Sequence, residues 1–182
     1  MNEIKNILQT AILENGIQMQ TIIAMEELAE LRQAIEKSTW STHCIDNLIE
    51  EMADVEIVIE EMCMFYGIKR HEIKRRQDEI LNRPMEDLKS IITMRKLAEL
   101  QQAISKAARG KLNKDVLIQK MADVLIIIEF MRKYHRIDSF RIAKRMEEKI
   151  KRLEKDLLQR GVQINDRRIQ PTGRQSGPDK QR

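Results

Sequence analysis

The chain has 182 residues, 34% of them charged, 42% hydrophobic and 3% aromatic, with 6 Gly, 3 Pro and 2 Cys. That apolar share excludes a disordered tail protein, two cysteines exclude a disulfide scaffold, and so few turn residues exclude a many-stranded sandwich or barrel. The net charge of +4 conceals an uneven distribution, −8 over 1–89, +9 over 90–160 and +3 over 161–182, and that asymmetry calls for a cause.

Apolar periodicity predicts helices over 3–14, stopped at Asn15-Gly16, then over 17–37, 45–66 with Gly67 at its end, and 70–82. Pro84 suits the first turn of the next helix, 84–107, and two more follow over 114–135 and 138–160. Segments 38–44 and 108–113 read as helix connections, the second marked by Gly110-Lys111-Leu112-Asn113. Residues 161–182, rich in Gly, Pro, Gln and Arg, read as a disordered basic tail. The longest apolar run, Val124 to Ile128, falls far short of the roughly 18–20 residues that span a bilayer. MNEIKNILQ carries no signal-peptide pattern, so a soluble cytoplasmic protein is expected, with Cys44 and Cys63 as reduced thiols.

The sequence contains itself twice. A shift of 69 residues aligns 22–80 with 91–149 without a gap, and 26 of the 59 positions are identical. IIAMEELAELRQAIEK faces IITMRKLAELQQAISK, and DNLIEEMADVEIVIEEM faces DVLIQKMADVLIIIEFM. Matched methionines such as Met52 and Met121 read as core filler. The helix over 114–135 is apolar almost all round in VLIII, whereas its counterpart carries Glu56 and Glu61 at two of those positions or close to them. One copy alone is too small to bury such a face. The expected fold is therefore an all-α helical bundle in which two tandem repeats, 1–83 and 84–160, pack as a pseudo-dimer.

Four carboxylates stand out in the first copy, Glu27 and Glu30 in E-x-x-E and Glu51 and Asp54 in E-x-x-D. Each i, i+3 pair shares a helix face, and two antiparallel helices bring the pairs together. Like charges so close raise one another's pKa unless a cation intervenes, and oxygen-only ligands without Cys or His favour Mg²⁺ or Mn²⁺ over Zn²⁺. Either motif alone occurs on many solvated helices. The second copy sharpens the reading: Glu26-Glu27 becomes Arg95-Lys96 and Glu50-Glu51 becomes Gln119-Lys120, while Glu99 and Asp123 remain. Lysine ammonium groups there would supply the positive charge that a metal supplies in the first copy.

MEELAEL followed some two dozen residues later by EEMADV resembles the all-α nucleoside triphosphate pyrophosphohydrolases, the MazG-like and dimeric dUTPase superfamily. The resemblance covers nearly all of 1–160, once per copy. It implies a MazG-like repeat at 1–83 holding Mg²⁺ or Mn²⁺ on Glu27, Glu30, Glu51 and Asp54, and a degenerate repeat at 84–160 that keeps Arg109-Gly110-Lys111. It further implies cleavage of a nucleoside triphosphate between its α and β phosphates, giving a monophosphate and pyrophosphate. Glu27 or Glu51 would activate water, with Glu26 and Glu50 behind them. The resemblance favours Lys149 and Arg152, a K-x-x-R in the last helix, as phosphate contacts, although their positions also suit a solvated helix face. Trp40, with His43 and Asn47 in the first connection, is a candidate base contact.

Two other readings remain open at this point. Ser38 to Asn47 lacks the RGK connection, which leaves room for a catalytically silent nucleotide-binding or regulatory relative. Basic residues from Arg141 to Lys155 and the tail suggest nucleic acid, but interleaved Glu147, Glu148, Glu154 and Asp156 and the lack of aromatic companions weigh against it. Further homo-oligomerisation of the pseudo-dimer is not decided by these residues.

Overall fold

The computed structural model describes residues 2–81 and 90–164, and among them six α-helices and a short 3₁₀ turn account for nearly all of the chain. The expected helix start at Pro84, the division between 83 and 84, and the tail beyond 164 lie outside the described residues. No helix among the described residues is long and apolar enough to cross a membrane.

Helix α1 spans Asn2–Trp40 and is interrupted at Gly16, whose φ of 72° and ψ of 164° lie in a region that L side chains do not enter without strain. The two helices expected over 3–14 and 17–37 are thus the two arms of α1, the second running three residues further. A 3₁₀ turn at Thr42–Cys44 leads into α2, Ile45–Tyr66. Gly67 then takes a left-handed conformation, and the Ile68 amide closes onto the Cys63 carbonyl at 2.9 Å. Helix α3 is Arg70–Leu81 and α4 is Ser90–Ala108. Helix α5, Lys114–Tyr134, starts where the Asn113 side chain accepts from the Val116 amide; α6, Ser139–Gln159, starts where Asp138 accepts from Phe140.

The duplication extends to this stop signal. Arg136 stands 69 residues after Gly67, holds φ at 53°, and the Ile137 amide closes onto the Arg132 carbonyl at 2.8 Å. A non-glycine residue pays a backbone penalty for the same turn.

Within the copies, α1 packs on α2 and α4 on α5. Across them, α1 packs on α4, α3 lies against α5, and α6 lies against α2 and α1. The last helix of each copy therefore covers the second helix of the other. One continuous core draws on all six helices, through residues such as Leu28, Leu48, Ile73, Leu100, Ile127 and Ile142. Met121 to Ile128 are buried without interruption, as the all-round apolar pattern of α5 demands. A smaller cluster joins Ile7, Leu8 and Ala11 of the first arm of α1 to Ile150 and Leu157 of α6. Val162 and Ile164 pack against it after a left-handed turn at Gly161, so 161–164 belong to the folded body rather than to the expected tail.

Candidate metal centre and adjoining cleft

Glu27 on α1 and Glu51 and Asp54 on α2 each present a carboxylate oxygen, and these three oxygens lie within 4.8 Å of one another. All three side chains are half-buried, whereas Glu30 is exposed and stands outside this group. The four-ligand expectation thus narrows to three converging acids with Glu30 at the rim. Burial pushes Glu27 up to about 7, reinforced by the charges of Asp54, Glu30 and Glu51. Burial likewise pushes Glu51 up to about 7, with Glu30 and Asp54 adding to it. One oxygen of Glu51, Oε2, is buried without a hydrogen-bond partner. Burial also raises Asp54, against the pull of a hydrogen bond from Lys149.

Lys149 reaches this group from α6, in the other copy. Its Nζ donates to Asp54 Oδ2 and lies 3.2 Å from Glu50 Oε1. Burial opposes its charge, yet pairing with Asp54 and Glu50 prevails and holds its pKa above the ordinary lysine value. Arg152, one turn on, is exposed. Glu148, one candidate for pairing it, bonds Arg145 at 3.0 Å, and Lys151 bonds Glu147 at 2.6 Å.

The equivalent place in the second copy is closed by its own lysines. Lys96 Nζ lies 2.8 Å from Asp123 Oδ2 and Lys120 Nζ 2.6 Å from Glu99 Oε2, with the two remaining lysine–acid sides at 3.9 Å. Gln119 donates to the other oxygen of Asp123 at 3.2 Å. A hydrogen bond from Lys120 holds Glu99 below the usual carboxylate range. Charges alternate around this square, so it needs no added cation. Three acids and one lysine in the first copy leave negative charge over.

Beside the acidic group lies an open cleft of about 200 Å³ between both arms of α1, α2 and α6. Glu27, Asp54 and Lys149 stand in its wall, with Gln20, Glu61 and Asn15 as further polar groups. Gln20 is 2% exposed and its Oε1 has no partner; Glu61 is 5% exposed, and burial followed by the charge of Glu27 pushes it up to about 8. Neither Gln20 nor Glu61 stood out as a site residue from spacing, although Glu61 was visible as a charge at a position where the second copy has Phe130. Trp40 is 87% exposed, and His43 and Asn47 are exposed too. Asn47 lies about 10 Å along α2 from Asp54, toward the connection, while the cleft extends the other way, through Val58 to Glu61. The expected base contacts Trp40 and Asn47 therefore do not line it.

Compared with protein-family models, with curated proteins and with solved structures, the chain matches none.

Proposed function

We propose that the chain is a Mg²⁺- or Mn²⁺-dependent nucleoside triphosphate pyrophosphohydrolase, built from two tandem MazG-like repeats packed as a pseudo-dimer, with one working site. The observation that carries this reading is the contrast at one register: three converging acids sharing one lysine in the first copy, a closed ion-pair square in the second. The reciprocal covering of α2 by α6 and α5 by α3 supports the pseudo-dimer.

The donor set fits a hard divalent cation. Three carboxylates converge, no sulfur or imidazole is among them, and Glu51 Oε2 is a buried acceptor lacking a donor. Glu27, Glu51 and Asp54 would hold the ion, with Glu30 completing the set from the rim. A bound divalent ion supplies electrophilic neutralisation of phosphate charge. Glu51 or Glu27 would take the proton of the attacking water. That water's oxygen bonds to the α phosphorus, the bond to the bridging oxygen breaks, and pyrophosphate leaves. Lys149, beside Asp54 and within the cleft wall, would offer its ammonium to the triphosphate.

Pyrophosphate release with Mg²⁺ or Mn²⁺ across a nucleotide panel tests this reading. Metal-dependent release that Glu27→Gln and Asp54→Asn abolish is expected; release surviving both substitutions would remove the site assignment. One observation favours a second reading, a nucleotide-binding protein without turnover: Lys149 already neutralises Asp54 and Glu50 as Lys96 neutralises Asp123. Nucleotide binding without release under any metal would select it.

A further inference from the structure

A second cleft, open and about 470 Å³ in volume, lies between α2, α3 and α5 and shares no residue with the first. Its floor is apolar, formed by the buried Ile73, Leu125 and Ile128. Charge surrounds that floor. Arg70, Lys74 and Gln77 stand at i, i+4 and i+7 on one face of α3, with Glu56 of α2 and Glu129 and Arg132 of α5 completing the walls. Several of these groups are already spent. Both carboxylate oxygens of Glu129 accept from Arg132 at 2.7 Å, and the remaining Arg132 nitrogen donates to the Ile137 carbonyl at 3.2 Å. Arg70 spends its Nε on Glu60, 2.6 Å away. Left over are the half-buried Glu56 carboxylate, the half-buried Gln77 amide, the other two nitrogens of Arg70, and Lys74, whose pair with Asp78 at 3.0 Å is exposed and weak.

Packing does not call for this polarity. Burial raises Glu56, against the pull of Arg70 and with the push of Glu60 and Glu129, and no hydrogen bond or ion pair compensates it among the described residues. The second copy keeps the floor, with Ile142 for Ile73 and Ile59 for Ile128. It places Leu125, Ala143 and Met146 where the first copy has Glu56, Lys74 and Gln77, so these helix registers accept apolar side chains at the very positions left unpaired. The charge of a fitting ligand follows from the walls. A simple anion would meet Glu56, Glu60 and Glu129, and a simple cation would meet Arg70, Lys74 and Arg132. With the committed pairs cancelled, one carboxylate shares an apolar floor with guanidinium and ammonium nitrogens that still have bonds to give. That set suits a molecule carrying both charges on one carbon with an aliphatic chain beside them.

We infer that this second cleft binds an α-amino acid with an aliphatic side chain, its ammonium on Glu56, its carboxylate on Arg70 and Lys74, and its side chain against Ile73, Leu125 and Ile128. The inference is independent of the hydrolase reading.

Titration calorimetry of the full chain with leucine, isoleucine and valine tests it, each beside the amine lacking its carboxylate and the acid lacking its ammonium group, which for leucine are 3-methylbutylamine and 4-methylpentanoate. At least one of the three amino acids is expected to bind, about tenfold or more tightly than either of its halves, because each half forfeits a charge-assisted contact. Glu56→Leu, which installs the residue of the second copy, is expected to weaken that binding at least about tenfold while leaving the melting temperature equal or higher, because an unpaired half-buried acid is removed. Lys74→Ala, at an exposed position, is expected to weaken it several-fold, and Glu27→Gln to leave it unchanged. No binding by any of the three, halves that bind as well as the whole, binding that survives Glu56→Leu, or binding lost in Glu27→Gln overturns the inference and leaves the hydrolase reading untouched.

Discussion

Five buried or half-buried acids, with Glu56 raised by burial beside the four of the cleft, make the metal-free fold sensitive to alkali in a range where most proteins are indifferent. Glu61 is pushed up to about 8 and Glu27 and Glu51 to about 7, and Asp54 is also raised. In the unfolded chain these groups titrate near ordinary carboxylate values, so above those values the folded state holds protons that the unfolded state has released. Their protonated forms contribute stability that is complete below the unfolded pKa and is lost as pH rises through the folded one. For the deeply buried Glu61, the loss between about pH 5 and pH 8 is about 4 kcal/mol. Glu27 and Glu51 are half open to solvent and share one repulsion, so together about 2 kcal/mol is reasonable for them. The total, about 6 kcal/mol, is a large part of the usual 5–15 kcal/mol for a domain and corresponds to a fall of at least about 10 °C in melting temperature. His135, whose burial lowers its imidazole, opposes the trend but is one group against several; Glu129, held at about 2 by Arg132, acts only in stronger acid. Circular-dichroism melts across this range, with and without millimolar Mg²⁺ or Mn²⁺, measure the effect. Metal should flatten the part due to Glu27 and Glu51 and leave the Glu61 part, which Glu61→Leu should remove. A melting temperature that stays level or rises toward pH 8 without metal would refute the electrostatic account of the site.

The second copy offers a complementary measurement. Lys96→Met takes from Asp123, which is 7% exposed, its shortest ion pair and leaves it Gln119 and the more distant Lys120, and should cost about 2 kcal/mol, whereas Arg141→Ala at its exposed pair with Asp46 should cost under about 1 kcal/mol in denaturant titrations. Equal losses at the two sites would show that burial of the square contributes nothing. Arg136→Gly should stabilise by about 1 kcal/mol, or about 2–4 °C, because it relieves a left-handed backbone that Gly67 adopts freely at the equivalent turn. A lower melting temperature for that variant would mean that the Arg136 side chain outweighs its backbone strain. Lys149→Met removes the cation that shares Asp54, so Mn²⁺ binding followed by paramagnetic resonance should tighten by about tenfold, the worth of about 1.4 kcal/mol, while nucleotide binding weakens. Unchanged or weaker Mn²⁺ binding would show that Lys149 does not compete with the ion.

The helices were legible because their ends are written locally. Gly67, Asn113 and Asp138 act on the backbone within a few residues of themselves, and the glycine at 16 divides α1 where the pattern changes phase. The pairing of Glu27 with Glu51 and Asp54 was legible for a related reason: i, i+3 spacing and a short connection leave two adjacent helices few ways to meet. What escaped the pattern depends on distance along the chain. Lys149 meets Asp54 across 95 residues, and nothing in either helix alone names its partner. Gln20 is an ordinary polar residue by composition, and its significance lies in being 2% exposed beneath a cleft. Trp40 drew attention by rarity of type, yet it is 87% exposed and is not among the residues that line the cleft.

Part of the charge asymmetry between the two halves, 7 of the 17 units that separate them, lies at four matched positions. Glutamates at 26, 27, 50 and 51 face arginine, lysine, glutamine and lysine in the second copy, and two of those replacements, Lys96 and Lys120, close the square on Glu99 and Asp123. The same bundle thus meets one electrostatic problem, acids packed between two helices, with internal ammonium groups on one side and incomplete compensation on the other. Incomplete compensation works against folding, and Glu61 and Gln20 add to that burden from within the same cleft. Burdens gathered around one cleft, while the equivalent positions of the second copy are neutralised by Lys96 and Lys120 or filled by Phe130, are what the proposed cation site would require.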